Sequence, residues 1–354
     1  MDRNHRLLVS DNGKIYFSRI RYSNSRPVIS LNTKNEPREI LQQPKEFSFE
    51  STLSPNETLV ILSFFNGDKY LKEQIDSLDK QTYQSFNLVV SDDGSGHPPT
   101  IIESNRKLLI RSDVNTGYAQ NFLCTLTLMD NAYRFYSFCD QDDVWMPQKL
   151  EIAIDRLNRE PEDIPTLYCS RVLSVSSNLR KHLGLSHSFS KQPSFKNALV
   201  QNIAQGNTIV MNKKARDLLV ASYEGKVITS HDWWAYLVIT GAGGKVIFDN
   251  QATLFYRQHG DNIVGTHSTF SGLLKRFARL LEGRFKFWND INISNLEQIK
   301  HLLTAQNQKT LADFIMARQL SLWGRMKYLY TRDIYRQTLI GQIGLSIAIL
   351  LKKF

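Results

Sequence analysis

Apolar and polar positions alternate in long blocks along the middle of the chain. Thr58-Leu-Val-Ile-Leu-Ser63 is a continuous apolar run, and Phe86-Asn-Leu-Val-Val-Ser91, Lys107-Leu-Leu-Ile-Arg111 and Phe135-Tyr-Ser-Phe-Cys139 resemble it. Runs of this length read as strands buried on both faces. Helical periodicity lies between them: Leu71, Ile75 and Leu78 after a capping Asp68, a stretch from about Tyr118 to Met129, and Leu150, Ile154 and Leu157 after Pro147. The alternation predicts an α/β fold with a mostly parallel sheet. The second half is more mixed. It predicts a strand at 166–170, a turn and strand over 205–211, and a helix over 213–223. A helix capped by Ser230 and stopped by Gly241 follows, then strands at 245–248 and 253–257.

Both ends differ from this core. Residues 1–57 are polar with short alternating runs, and Asp11-Asn-Gly13 marks a tight hairpin. They read as a small β-rich extension and linker ahead of a domain at 58–265. From 266 onward the chain becomes basic and helical. Leu273, Leu274, Phe277, Leu280 and Leu281 fall within one ~120° arc of a helix, with Lys275, Arg276 and Arg279 opposite. That is the pattern of an interfacial helix. Residues 337–351 carry no charge. As a helix they span about 22 Å, short of a hydrocarbon core of ~30 Å, so they are not read as a crossing.

Charge sharpens this picture. The formal net charge is +10, and 266–354 holds 14 Lys and Arg against 5 Asp and Glu, a balance of +9. The excess suits an anionic membrane surface. Nucleic acid is not expected as a partner, because the tail's aromatic residues follow helical spacing instead of forming a strand platform. Three Cys without metal-like spacing, and an N-terminus without an apolar leader, suit a cytoplasmic protein.

The candidate chemistry lies where the strands end. Asp140, Asp142 and Asp143 follow the strand that closes at Cys139, where ligands bind in open α/β sheets. Carboxylates this close repel unless a hard cation such as Mg²⁺ sits among them, and such an ion usually bridges to substrate phosphates. Asn66 and Asp92-Asp93 are expected on the same sheet edge. Asp92 or Asp93 can accept hydrogen bonds from a base or ribose, and a metal at Asp142 can bind a diphosphate. Asn115-Thr-Gly117 forms a turn needing left-handed geometry.

Seven segments in order carry a resemblance to a known family: ILSFFNGDKYLKEQIDSLDKQTY, VVSDDGS, NTGYAQNF, FCDQDDVW, GNTIVMNKKA, HDWW and YRQHGDN. Together, over about residues 58–265, they resemble the inverting glycosyltransferases of family 2, with the GT-A fold. Rhamnosyltransferase-like members that build bacterial surface polysaccharides are the most similar. The resemblance implies a Rossmann-like sheet, a nucleotide-diphosphate sugar donor, Mg²⁺ or Mn²⁺, and a glycan or lipid-linked acceptor. It implies that Ser63, Phe65, Asn66, Asp92 and Asp93 line the nucleotide pocket, with Asn115 and Gly117 beside it. Asp140 would contact the ribose or sugar, and Arg257 would steady the diphosphate. Asp142 and His259 would hold the metal. Gly206, Asn207, His231, Trp233 and Trp234 would border the acceptor, one Trp as core and one stacking on a sugar. Asp232 would be the general base, since inversion needs one carboxylate opposite the leaving group.

Two features depart from the family. The extension before residue 58 lies outside its common core, and the QxxRW pattern of processive synthases is absent, YRQH standing in its place. Single additions at the inner membrane face are therefore expected, with another UDP- or dTDP-sugar such as glucose or galactose, or a non-catalytic scaffold, as the alternatives. Oligomeric state is left open, a homo-oligomer included.

Overall fold

The structure, a computed structural model, describes residues 56–100, 106–112, 114–129, 132–259 and 282–354, and four short strands between residues 5 and 28. Those strands are β1 (His5–Val9), β2 (Ile15–Arg19), β3 (Arg21–Ser23) and β4 (Arg26–Val28). β1 and β2 pair antiparallel across the expected hairpin position, and β3 pairs with β4.

The domain proper begins with β5 (Thr58–Phe64), α1 (Asp68–Asp79), β6 (Phe86–Asp92), β7 (Lys107–Ser112), α2 (Tyr118–Leu128) and β8 (Phe135–Cys139). Two-residue β9 (Val144–Trp145) and α3 (Lys149–Asn158) follow. Then come β10 (Thr166–Ser176), β11 (His182–Leu185), the short α4 (Phe195–Ala198), β12 (Val210–Asn212), α5 (Lys213–Tyr223), α6 (His231–Gly241) and β13 (Lys245–Gln258). The C-terminal region is helical: α7 (Arg284–Gln298), α8 (Ala305–Gln319), α9 (Leu322–Thr331) and α10 (Leu339–Leu350).

One sheet runs β1-β2-β7-β6-β5-β8-β12-β10-β13-β9, with β11 attached to β10. β2 to β8 in that order pair parallel, and β12 enters antiparallel to both its neighbours. β5 explains why uncharged runs mark the centre. Leu59 and Ile61 join the apolar layer of α2, α5 and α6, whereas Val60, Leu62 and Phe64 join the layer of α1 and α3. A strand with helices on both faces needs apolar side chains at consecutive positions.

Three local expectations change. The two strands expected at 245–248 and 253–257 are one, β13, whose pairing with β10 shifts register near Ser170 and Arg171. The first strand of the second half runs on to Ser176. Val144 and Trp145, expected in a turn before a helix, instead pair with Phe255 and Leu254.

The C-terminal helices are docked on the α6 side of the core. Leu296, Leu311, Phe314, Leu345 and Ala348 share its apolar cluster. Asn307 donates to the carbonyls of Thr240 and Gly241 at 3.0 and 2.9 Å, satisfying groups that the end of α6 leaves open. The amphipathic stretch at 271–281 lies outside the described residues. No helix among the described residues is long and apolar enough to cross a membrane.

Candidate active site

Because β5, β6 and β8 are parallel, their carboxyl ends deliver Phe65-Asn66, Asp92-Asp93 and Asp140 to one edge. Each end is then bent by its own bonds. Asn66 takes φ 46°, a left-handed turn that Asn tolerates better than most residues. Its backbone N–H donates to Ser95 Oγ at 2.9 Å, and its side-chain oxygen accepts from Gly96 at 3.2 Å. Ser63 Oγ accepts from the Asn121 amide at 2.7 Å, and Asn121 also bridges to Ser91. Phe65 is 43% exposed at this rim. Its backbone is gripped on both sides by Gln141, which accepts from the Phe65 N–H at 2.8 Å and donates to its carbonyl at 3.2 Å. Gly67 leaves room for that amide, since a Cβ there would collide with it.

The two aspartates after β6 face inward bonds. Asp92 is fully buried, accepting from Arg111 Nε and from the Ser95 N–H, both at 3.0 Å. Asp93 accepts from the Thr116 N–H at 2.8 Å, its hydroxyl at 2.9 Å and the Gly117 N–H at 2.8 Å. Burial outweighs these bonds and holds its carboxyl above the ordinary range. Asp93 thus shapes the turn containing Asn115 and Gly117, where Gly117 has φ 87°. Both side chains position the pocket wall from within.

The acidic turn divides its carboxylates among different tasks. Asp143 is buried, accepting from Asn207 Nδ2 and from the Arg257 N–H, so it ties the turn to residues 206–208 and to β13. Burial, then the charges of Asp142 and Asp140, push its pKa up. Asp142 stays partly exposed, its Oδ2 2.7 Å from His259 Nε2. Asp140 is pushed up to about 8, first by burial and then by the charges of Asp142 and Asp232. Asp232 stands at the first turn of α6, where its Oδ1 accepts from the Trp233 N–H at 2.7 Å and its Cβ would lie 3.5 Å from a Cβ at Gly206.

The structure redirects several expected contacts. Arg257 is 1% exposed. Its guanidinium donates to the carbonyls of Asp142 and Ser177, pairs with Glu73 and lies 4.5 Å over the Tyr70 ring. It braces the acidic turn from behind. Both tryptophans are core: Trp233 donates to the Ala198 carbonyl at 2.7 Å and Trp234 to Ser222 Oγ at 3.1 Å. An indole buried with its N–H satisfied inside the protein does not offer a face to a sugar, so the expected stacking on one of them is not found. His231 is also buried, 3% exposed, its ring 4.2 Å from Phe122 and 5.0 Å from Phe138. Neither ring nitrogen has a hydrogen-bond partner, and burial lowers its pKa to about 4. It is a neutral prop below Gly206, where a Cβ would come within 2.7 Å of its Cε1. Asn207 is likewise enclosed, its amide spent on Asp143.

Sequence reading missed Gln141, Glu73, Asn121 and Tyr118. Tyr118 follows Gly117 within one of the quoted segments, and its ring meets His231 edge-on at 5.8 Å. Burial, then the charges of Asp232 and Asp140, raise its pKa.

Among the described residues no cluster of three or more His, Cys, Asp and Glu could hold a metal unaided. Asp142 and His259 nonetheless present one carboxylate oxygen and one imidazole nitrogen 2.7 Å apart. A divalent ion that keeps waters and takes the rest of its shell from a substrate diphosphate fits such a pair.

Residues 59–219 match the family model described as Glycosyl transferase family 2. That stretch is similar to the family 2 glycosyltransferases. β12 interrupts the parallel order beside the acidic turn, in a mostly parallel α/β sheet of the kind the sequence predicted. A dTDP-rhamnosyl transferase, RfbG of Shigella flexneri, is 26% identical over 231 residues, 61% of this chain and 78% of that protein. An Escherichia coli UDP-Glc:alpha-D-GlcNAc-diphosphoundecaprenol beta-1,3-glucosyltransferase, WfgD, is 28% identical over 102 residues, 28% of this chain and 40% of that protein. The crystal structure of S. aureus TarS 1-349 superposes with a TM-score of 0.48 at 13% identity, covering 84% of this chain and 80% of that one.

Proposed function

We propose that the chain is an inverting transferase that moves a sugar, L-rhamnose first among candidates, from a nucleotide diphosphate to a glycan or lipid-linked hydroxyl. The setting is bacterial surface polysaccharide synthesis. One observation carries the reading: the turn at Gly206-Asn207 touches both Asp232, whose Cβ would lie 3.5 Å from a Cβ at Gly206, and Asp143 of the acidic turn, so a base candidate lies near the Asp142–His259 pair. The rhamnosyl assignment leans on the likeness to RfbG.

The residues divide the work as follows. Asp232 takes the proton of the acceptor hydroxyl as its oxygen bonds to the anomeric carbon. The bond from that carbon to the diphosphate breaks on the opposite side, and the electron pair leaves with the nucleotide. Asp142 and His259 would hold a divalent ion, which when bound would supply positive charge for that leaving group. Asp140 sits on the same turn, two residues from Asp142, and can bond to a sugar or ribose oxygen of the donor. Gln141 and Arg257 hold the turn in place.

The C-terminal region supports action at the inner face of an anionic membrane. On α10, Leu339, Ile340, Ile343 and Leu350 are exposed on one side, and Trp323 on α9 is 82% exposed. An unbroken apolar face flanked by basic residues suits an interfacial helix.

A screen of nucleotide sugars with Mn²⁺ or Mg²⁺, including dTDP-L-rhamnose, tests the assignment. Transfer or slow donor hydrolysis is expected, and Asp232→Asn and Asp142→Ala should each abolish transfer with the melting temperature retained. Full activity in either variant overturns the roles. Metal-dependent nucleotide binding without hydrolysis or transfer of any donor would favour the scaffold reading.

A further inference from the structure

The first turn of α7 brings cationic side chains to the acceptor side of the catalytic pocket. Phe285 stacks on Trp233, the neighbour of Asp232, with ring centroids 6.5 Å apart and planes 10° from parallel. Trp288 meets the same indole edge-on at 6.3 Å. This aromatic packing fixes the start of α7 against the turn that presents Asp232.

Three cations gather there. Arg284 is exposed, with its guanidinium 4.8 Å over Trp288. Arg336 lies 5.5 Å over the Phe285 ring. Lys353 reaches in from the C-terminus: a Cβ at Gly283 would lie 3.6 Å from its Nζ. Gly283, at φ 79°, leaves that approach open. Arg284 and Lys353 pair with no carboxylate among the described residues, and the adjacent Glu282 is exposed and bonds to neither. The charges of Arg284 and Asp232 both reach Tyr118. Like charges held together by packing cost free energy in isolation, and an anion between them relieves it.

We propose that Arg284, Arg336 and Lys353 seat the diphosphate of a lipid-linked acceptor sugar, so that a hydroxyl of that sugar meets Asp232. The proposal rests on the transferase reading above and adds where the acceptor's charge is held. The donor's diphosphate belongs at Asp142 and His259, at the strand ends, whereas this cluster lies beyond Asp232. Two guanidinium forks and an ammonium match a diphosphate, which accepts several charge-assisted hydrogen bonds at once.

The test is titration of the full chain with farnesyl diphosphate in EDTA, which closes the metal-dependent donor route. The wild type is expected to bind. Arg284→Gln and Lys353→Gln should each weaken binding about ten-fold, the scale of one charge-assisted contact, and the double variant about a hundred-fold. Asp142→Ala should bind farnesyl diphosphate as the wild type does. Absence of wild-type binding, or a correctly melting double variant with unchanged affinity, overturns the proposal. So does loss of binding in Asp142→Ala, which would place the ligand at the donor site. Phosphatidylglycerol vesicles distinguish the other source of phosphate. If the double variant loses vesicle binding but keeps farnesyl diphosphate, the cluster reads lipid headgroups and the proposal fails. Donor hydrolysis by the wild type with Mn²⁺, measured separately, decides the transferase reading whatever the titration shows.

Discussion

Gly206→Ala is the sharpest single perturbation of this site. The added methyl would stand 2.7 Å from His231 Cε1, closer still to Nε2, and 3.5 Å from Asp232 Cβ. His231 has little room to retreat, because Phe122, Phe138 and Tyr118 surround its ring. The strain must pass into the first turn of α6, which carries Asp232. Overpacking of this kind costs about 1–3 kcal/mol. In a domain of ~200 residues each kcal/mol lowers Tm by about 2–4 °C, so a fall of roughly 2–12 °C is expected. A displacement of about 1 Å at a reacting group costs on the order of 100-fold in rate. The assay is transfer kinetics with the donor found by screening, alongside a thermal melt. The expected result is a lower Tm and a lower kcat with little change in donor KM. Adding His231→Ala opens the space and should recover part of the lost Tm, a coupling of about 0.5–3 kcal/mol. Wild-type Tm and kcat in Gly206→Ala would refute the contact as a constraint. Strict additivity in the double variant would show that His231 is not what the methyl meets.

Burial should separate the two ends of the Arg257–Glu73 pair. Arg257 is 1% exposed and Glu73 52%. Arg257→Met should cost about 3–5 kcal/mol in a denaturant melt, and Glu73→Gln below about 1 kcal/mol. His231 makes stability acid-sensitive. Between its unfolded pKa of 6.5 and its folded value of about 4, the unfolded chain binds a proton that the folded chain refuses. Stability should therefore fall by about 3 kcal/mol as pH drops through that window and then level off. A flatter Tm profile in His231→Leu supports this, and an unchanged slope refutes it. Ile340→Glu with Ile343→Glu should weaken flotation on anionic vesicles by roughly ten-fold or more, given the apolar area withdrawn. Unchanged flotation would remove α10 from the membrane contact.

Much of this α/β domain could be read before folding. The uncharged runs of β5, β6 and β8 specified central strands, because only side chains buried on both faces are apolar at successive positions. Their parallel order then brought Asn66, Asp92-Asp93 and Asp140 to one edge, which is a consequence of topology. The fold also sets Asp142 Oδ2 2.7 Å from His259 Nε2, a pairing across more than a hundred residues.

Local pattern could not say which polar groups the fold would consume for itself. Arg257, His231, Asn207 and Asp92 look like ligand contacts in the sequence. Their partners, Glu73, the space under Gly206, Asp143 and Arg111, lie far along the chain or on other elements. A buried polar group must find a partner or lose its charge, and only the packed structure decides which. The same holds for the basic tail. Its composition marked it for an anionic surface, but the stacking of Phe285 on Trp233 brought the start of α7, with Arg284, to α6. Periodicity along one chain records which side of an element is apolar; it does not record which distant element that side will meet.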